Sequence, residues 1–240
     1  TLFRSVIGII YGALGCLAQT DMKRLIAFSS VAHMGFVMLG ISTLTDFGIN
    51  AALFGMVAHG LITGMLFFVA GSVKHRYHTL EISRLSGMLI QMPRLGWILG
   101  FAAMASLGLP GLAGFWGEFP AILSAYNPNF GLSEALFRTL MVVAAIGTVF
   151  AAAYLLWLYQ RTAFGRPNPE FEQGAHHPVG AGVNDEHHDV DLHDVTKIEW
   201  IAWTPFLLAI VVFGVYPQLM FGVMDPAVSL LIERVGAGIP

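Results

Sequence analysis

The stretch S-L-G-L-P-G-L-A-G-F-W-G-E-F, Ser106 to Phe119, sets a carboxylate in an apolar segment that glycine and proline interrupt. Apolar sequence continues on both sides, from Leu95 to Leu107 and from Phe115 to Tyr126, so the whole reads as one membrane helix broken near Pro110. Proline lacks a backbone donor and clashes with the preceding turn, while Gly108, Gly111 and Gly114 lower the cost of leaving helical geometry. Backbone groups freed at that depth are tolerated only where protein buries them or a water-filled cavity meets them. Glu118 lies eight residues past the proline and is held beside such an opening. An ionisable group in that setting marks a candidate functional site.

Composition decides the solvent around this segment. The 240 residues are 56% hydrophobic and 11% charged, with a mean hydropathy of +0.70, whereas soluble domains carry roughly 25% charged residues. An integral membrane protein is expected, and an ordinary soluble domain is excluded. A single cysteine, Cys16, lies in an apolar run, which rules out an internal disulfide framework or a cysteine-based metal site. The net charge of −3 is too small to identify a partner, and no nucleic-acid partner is expected. The sequence opens at Thr1, already apolar and without a methionine or signal peptide, so a fragment lacking its front part is expected.

Crossing about 30 Å of hydrocarbon takes roughly 20 residues in a helix. Six runs fit: Leu2 to Ala18, Leu25 to Leu44, Phe47 to Val73, the broken Leu95 to Tyr126, Ala135 to Tyr159, and Ile198 to Met220. The predicted fold is all-α, a polytopic membrane helix bundle with about six transmembrane helices, one of them broken near Pro110. Asp46 is a candidate N-cap for the third span, and Pro93 marks the start of the fourth. Three parts are predicted: a five-helix bundle over 1–164, a polar His/Asp-rich linker over 165–197, and a last transmembrane helix with an outward tail over 198–240. No fixed-period repeat is visible. Of the twelve Lys and Arg residues, nine fall in the connections after spans one, three and five, which puts that side in the cytoplasm and both ends of the chain outward.

The linker carries His176, His177, His187, His188 and His193 among Asp185, Glu186, Asp189, Asp191 and Asp194. Their spacing matches no defined metal site, so the linker reads as a solvated cytoplasmic segment with no catalytic role. Within the membrane the titratable inventory is short. His33 lies ten residues after Lys23, so it stands about 15 Å deeper at 1.5 Å per residue. His59 sits midway along the third span, and Glu118 lies past the break toward the outward side. Ser29 and Ser30 precede His33 by four and three residues, and Thr63 follows His59 by four, so each group shares a helix face. Hydroxyls beside a neutral imidazole, which accepts on one nitrogen and donates from the other, suit a proton relay. Other uses exist: a membrane histidine also hydrogen-bonds neighbouring helices, and Lys23 beside Arg24 also serves as a topology anchor.

Four ordered motifs carry a resemblance. The runs A-Q-T-D-M-K-R-L-I-A-F-S-S-V-A-H-M-G-F (Ala18 to Phe36), A-H-G-L-I-T-G-M-L-F (Ala58 to Phe67), H-R-Y-H-T (His75 to Thr79) and the Ser106 to Phe119 stretch resemble the NADH:quinone oxidoreductase (complex I) chain M family, the NuoM-type antiporter-like subunits. The resemblance implies a membrane-arm subunit that translocates protons while other subunits oxidise NADH and reduce quinone. It implies a proton relay of His33, His59, Glu118 and, more weakly, Lys23, supported by Ser29, Ser30 and Thr63 around a break formed by Gly108, Pro110, Gly111 and Gly114. NADH, FMN, iron-sulfur clusters and quinone would be bound by other subunits, and this chain would carry no cofactor, metal or redox site. The implied partners are other membrane-arm subunits, especially adjacent antiporter-like ones, and the lipid bilayer, in a bacterial inner membrane. The family's earlier broken helix with its buried lysine would precede Thr1. Two alternatives stay open: a large subunit of a multisubunit cation/proton antiporter or membrane-bound hydrogenase, and a haem protein with His33 and His59 as axial ligands.

Overall fold

A computed structural model describes residues 1–171 and 192–237. Most of the linker histidines and acids named above lie outside the described residues. The described chain is helical: α1 Leu2–Leu17, α2 Met22–Ser42, α3 Asp46–Tyr77, the single turn α4 Met88–Gln91, α5 Pro93–Ser106, α6 Ala113–Ser124, α7 Glu134–Ala163, α8 Lys197–Val215 and α9 Gln218–Ala237. Helices α2, α3, α7 and α8 are each long and apolar enough to cross a membrane. The other two predicted crossings are α1, an apolar helix of 16 residues, and the α5/α6 pair, interrupted from Leu107 to Leu112.

Local chemistry sets several of these boundaries. Asp21 caps α2 by accepting from the Arg24 amide at 2.9 Å. Thr45, not Asp46, caps α3, because its hydroxyl accepts from Gly48 N three residues on. Pro93 occupies the first turn of α5, where its missing N–H costs nothing. The tail expected after the last span is helical, α9, and Pro217 ends α8 short of the predicted Met220. Phe221 of α9 lies 5.0 Å from Phe54 of α3, and Gly236 abuts Phe130 in the loop before α7. The one aromatic residue of α9, Phe221, packs against Phe54 of α3 and Trp116 of α6 and ties the segment to the bundle.

Close approach of backbones builds the bundle. A Cβ at Gly12 of α1 would stand 2.6 Å from Ala32 N of α2, and one at Gly117 of α6 would stand 2.4 Å from Gly55 Cα of α3. Small residues at such crossings let van der Waals contact replace the hydrophobic drive that lipid cannot supply. The faces of α8 turned away, with Ile198, Ile201 and Val215, stay exposed.

The cation-rich loops meet at one end. Met22 N donates to Leu80 O and Ile82 N to Thr20 O, which ties the α1–α2 turn to the segment after α3. Arg84 pairs with Glu170, whose hydrogen bond raises the guanidinium above its ordinary value. Arg76, only 2% exposed, donates through Nε to His193 O at 2.7 Å and through Nη2 to Glu199 Oε2 at 2.7 Å. Glu199 also accepts from Ser72, and with Thr196 it closes a capping box at the start of α8. Asp194 accepts from the amides of Arg94 and Leu95 at 3.0 and 3.1 Å and so caps α5 from across the chain. The two ends of the linker are therefore built into the bundle.

Arg76→Met is expected to destabilise the bundle by about 3 kcal/mol, because it strands the Glu199 carboxylate, while Arg76→Met with Glu199→Leu recovers most of the loss. Thermal unfolding in detergent or lipid nanodiscs measures both. Equal losses in the single and double variants would show that the pair is not what holds α8.

Candidate functional site

The helix break is where the site begins. Gly108 and Gly111 have φ of +68° and +93°, the left-handed region in which a side chain is strained. The turn delivers α6 at a new angle, and a Cβ at Gly114 would stand 2.2 Å from Ala105 O, so the two half-helices pass closely. Trp116 Nε1 donates to Gly214 O of α8 at 2.8 Å and anchors the start of α6. Five residues after Ala113, Glu118 turns its carboxylate back over the break; a Cβ at Gly108 would lie 3.3 Å from Glu118 Oε2.

Glu118 meets His33. The distance from His33 Nδ1 to Glu118 Oε1 is 2.5 Å, with side-chain exposures of 5% and 15%. The other ring nitrogen, Nε2, lies 3.1 Å from Ser106 Oγ at the end of α5 and 3.2 Å from the Tyr154 hydroxyl of α7. One imidazole on α2 thus joins both halves of the broken helix and a third element. A carboxylate in hydrocarbon is expensive, and a short charge-assisted hydrogen bond is what makes it tolerable there.

His59 on α3 stands beside this pair, with its ring centroid 5.4 Å from that of His33. Its Nε2 is 3.1 Å from Ser30 Oγ, and Thr63 Oγ1 lies 3.2 Å from its ring nitrogens. Between His33, His59, Ser106 and Glu118 is a cavity of about 20 Å³, room for about one water molecule. A proton could pass between the rings through one such molecule. A haem could not, because a space that size admits no macrocycle and both His33 nitrogens already have partners. The arrangement favours the relay over the haem alternative.

The residues singled out in the sequence divide into groups. His33, His59 and Glu118 line one cavity, and Thr63 contacts His59 as its spacing predicts. Ser30 serves His59 and not His33, since it sits on the side of α2 turned to α3. Ser29 is buried, and its hydroxyl donates to Ile26 O at 2.8 Å. Lys23 is exposed in the first turn of α2, away from the cavity. Tyr154 and Ser106 were not among the candidates. Ser106 opens the quoted stretch and was legible there as a hydroxyl at the break; Tyr154, 121 positions from His33, had no local signal. Among the described residues no group of His, Cys, Asp and Glu is arranged to hold a metal ion.

Residues 1–156 match the family described as NADH:quinone oxidoreductase/Mrp antiporter, TM. The chain is 37% identical over 230 residues to "NADH-quinone oxidoreductase subunit M" of Rhodobacter capsulatus, covering 96% of this chain and 40% of that protein. It superposes on a chain of the respiratory complex I from Thermus thermophilus with bound NADH at a TM-score of 0.79 and 30% identity, covering 97% of this chain and 44% of that one. A chain of the Mrp complex from a Dietzia species matches at a TM-score of 0.74 and 20% identity, a likeness of fold alone. The chain spans about two fifths of the length of the first of these relatives. It belongs to the NADH:quinone oxidoreductase/Mrp antiporter transmembrane family, and its fold is the membrane helix bundle of that family.

Gly108→Ala and Gly131→Ala separate strain from contact, since φ is +68° and +66°, but nothing lies within 4 Å of a Cβ at Gly131. Each is expected to cost about 1–2 kcal/mol in thermal unfolding from the left-handed backbone. Only Gly108→Ala should shift the carboxyl infrared band that Glu118→Gln removes. Equal spectra for the two alanine variants would mean that the carboxylate does not rest on Gly108.

Proposed function

We propose that this chain, as a member of that family, forms part of a proton-translocating membrane-arm subunit of a respiratory NADH:quinone oxidoreductase. The redox groups (FMN, iron-sulfur clusters, NADH and quinone) belong, on this reading, to partner subunits, and adjacent antiporter-like subunits flank this one in a bacterial inner membrane. The observation that carries the proposal is the His33–Glu118 contact at 2.5 Å beside a one-water cavity shared with His59. An acid and two bases at that depth, with hydroxyls on each ring, can accept, hold and release a proton without an exposed charge. Reaction energy would reach the pair electrostatically: a charge arriving nearby changes proton affinity by a few kcal/mol at low effective dielectric. Identity of 37% to a complex I subunit favours this reading over an Mrp-type antiporter, whose likeness stands at 20%.

The proposed orientation puts Lys23, Lys74, Arg84 and Lys197 in the cytoplasm, with the helix ends near Asn127 outward.

Glu118→Gln in the intact complex is expected to leave assembly unchanged and reduce proton pumping per NADH oxidised by about tenfold or more. Dye quenching in sealed vesicles reads pumping, and pumping at the wild-type level would refute the proposal; sodium extrusion lost in place of NADH-driven pumping would favour the antiporter reading. Orientation has its own check. Cys16 is buried, so a cysteine introduced at exposed Arg166 should react with an impermeant maleimide only from the cytoplasmic face, and one at Asn127 only from the opposite face. The reverse pattern would invert the topology.

A further inference from the structure

Tyr154 is fully buried, with 0% of its surface exposed, in the second half of α7. A phenol hydroxyl removed from water needs a partner; it is 3.2 Å from His33 Nε2, and the Ser29 hydroxyl is also within its reach. Ser106 Oγ competes for the same atom at 3.1 Å. Nε2 of an imidazole carries either one lone pair or one hydrogen, so it bonds with one of the two hydroxyls at a time. The hydroxyls differ chemically. A phenol is the more acidic, hence the stronger donor and weaker acceptor; an aliphatic hydroxyl accepts more readily.

The other ring nitrogen settles which state uses which. An ionised Glu118 only accepts, so Nδ1 carries the hydrogen and donates to it at 2.5 Å. Nε2 is then a bare acceptor, suited to the phenol. When a proton arrives at Nε2, the Nδ1–H bond to Glu118 is kept, the ring becomes an imidazolium balanced by the carboxylate, and Nε2–H must find an acceptor.

We infer that Tyr154 and Ser106 are alternating positioning residues: the Tyr154 hydroxyl donates to His33 Nε2 in the unloaded form, and the Ser106 hydroxyl accepts from Nε2–H in the loaded form. The inference rests on reading His33 and Glu118 as the proton-carrying pair. It gives Ser106, the last residue of α5, a way to register at the helix break whether the pair holds a proton. Tyr154 in turn keeps the empty ring oriented for uptake at Nε2. The titratable groups facing this cluster from the packed elements are Cys16 of α1, His59 of α3 and Glu118 of α6.

Nitrogen-15 magic-angle-spinning NMR of histidine-labelled protein, in the intact complex and in lipid, tests this at high and low pH, with His33 assigned by the loss of its signals in His33→Gln. Tyr154→Phe should move the Nε2 signal of the unloaded form and leave the loaded form in place; Ser106→Ala should do the opposite. If Tyr154→Phe fails to assemble, 3-fluorotyrosine at position 154 replaces it. That isostere is a stronger donor, and it should move the unloaded signal the other way from a lost hydroxyl. Shifts common to both forms, or absent from both, overturn the inference. Pumping lost in Glu118→Gln with no hydroxyl-specific shift would sink this assignment and spare the proton-carrier reading, whereas hydroxyl-specific shifts with pumping retained would do the reverse.

Discussion

A carboxylate inside hydrocarbon must be given a partner, and the organisation around Glu118 follows from that requirement. An uncompensated charge at such depth costs several kcal/mol. The compensation is the hydrogen bond of 2.5 Å from His33 Nδ1 to Glu118 Oε1, and it obliges α2 and α6 to hold one relative rotation. The glycine contact of Gly55 with Gly117 then brings α3 against α6, so that His59 arrives one ring away. Pairing the acid and placing the second base are one packing problem.

The broken helix supplies what a continuous one could not. Helical neighbours at positions 106 and 118 would stand about 18 Å apart along the axis at 1.5 Å per residue. The turn through Gly108 and Gly111 folds that distance back, so Ser106 and Glu118 reach opposite nitrogens of the same ring. The local strain falls on glycines, where the left-handed backbone is cheapest. Trp116, tied to Gly214 O, keeps the second half from swinging.

At the other end of α5 the polar chemistry is purely structural. Asp194 caps the helix, and Arg76 gathers the carbonyls of His193 and Asp194 together with the Glu199 carboxylate. The half-helix that ends in Ser106 is thus fixed at its start by the returning linker. Arg76 contributed to the charge bias that orients the chain, yet it is buried in an ion pair and is no mere surface cation.

Sequence alone determined the solvent, the all-helical membrane bundle, the approximate extent of its long apolar helices, the break near Pro110 and the pairing of His59 with Thr63. Each of these depends on composition or on spacing along one helix, and such spacing is preserved when the chain folds. Tertiary structure decided what spacing could not: Ser30 turns to His59, Tyr154 joins His33 across 121 positions, Thr45 displaces Asp46 as the cap, and the tail becomes α9 packed on Phe54. Those outcomes turn on how each helix is rotated about its axis and where it crosses its neighbours. Small-residue contacts between distant segments set both, and a one-dimensional pattern carries no record of which segments will meet.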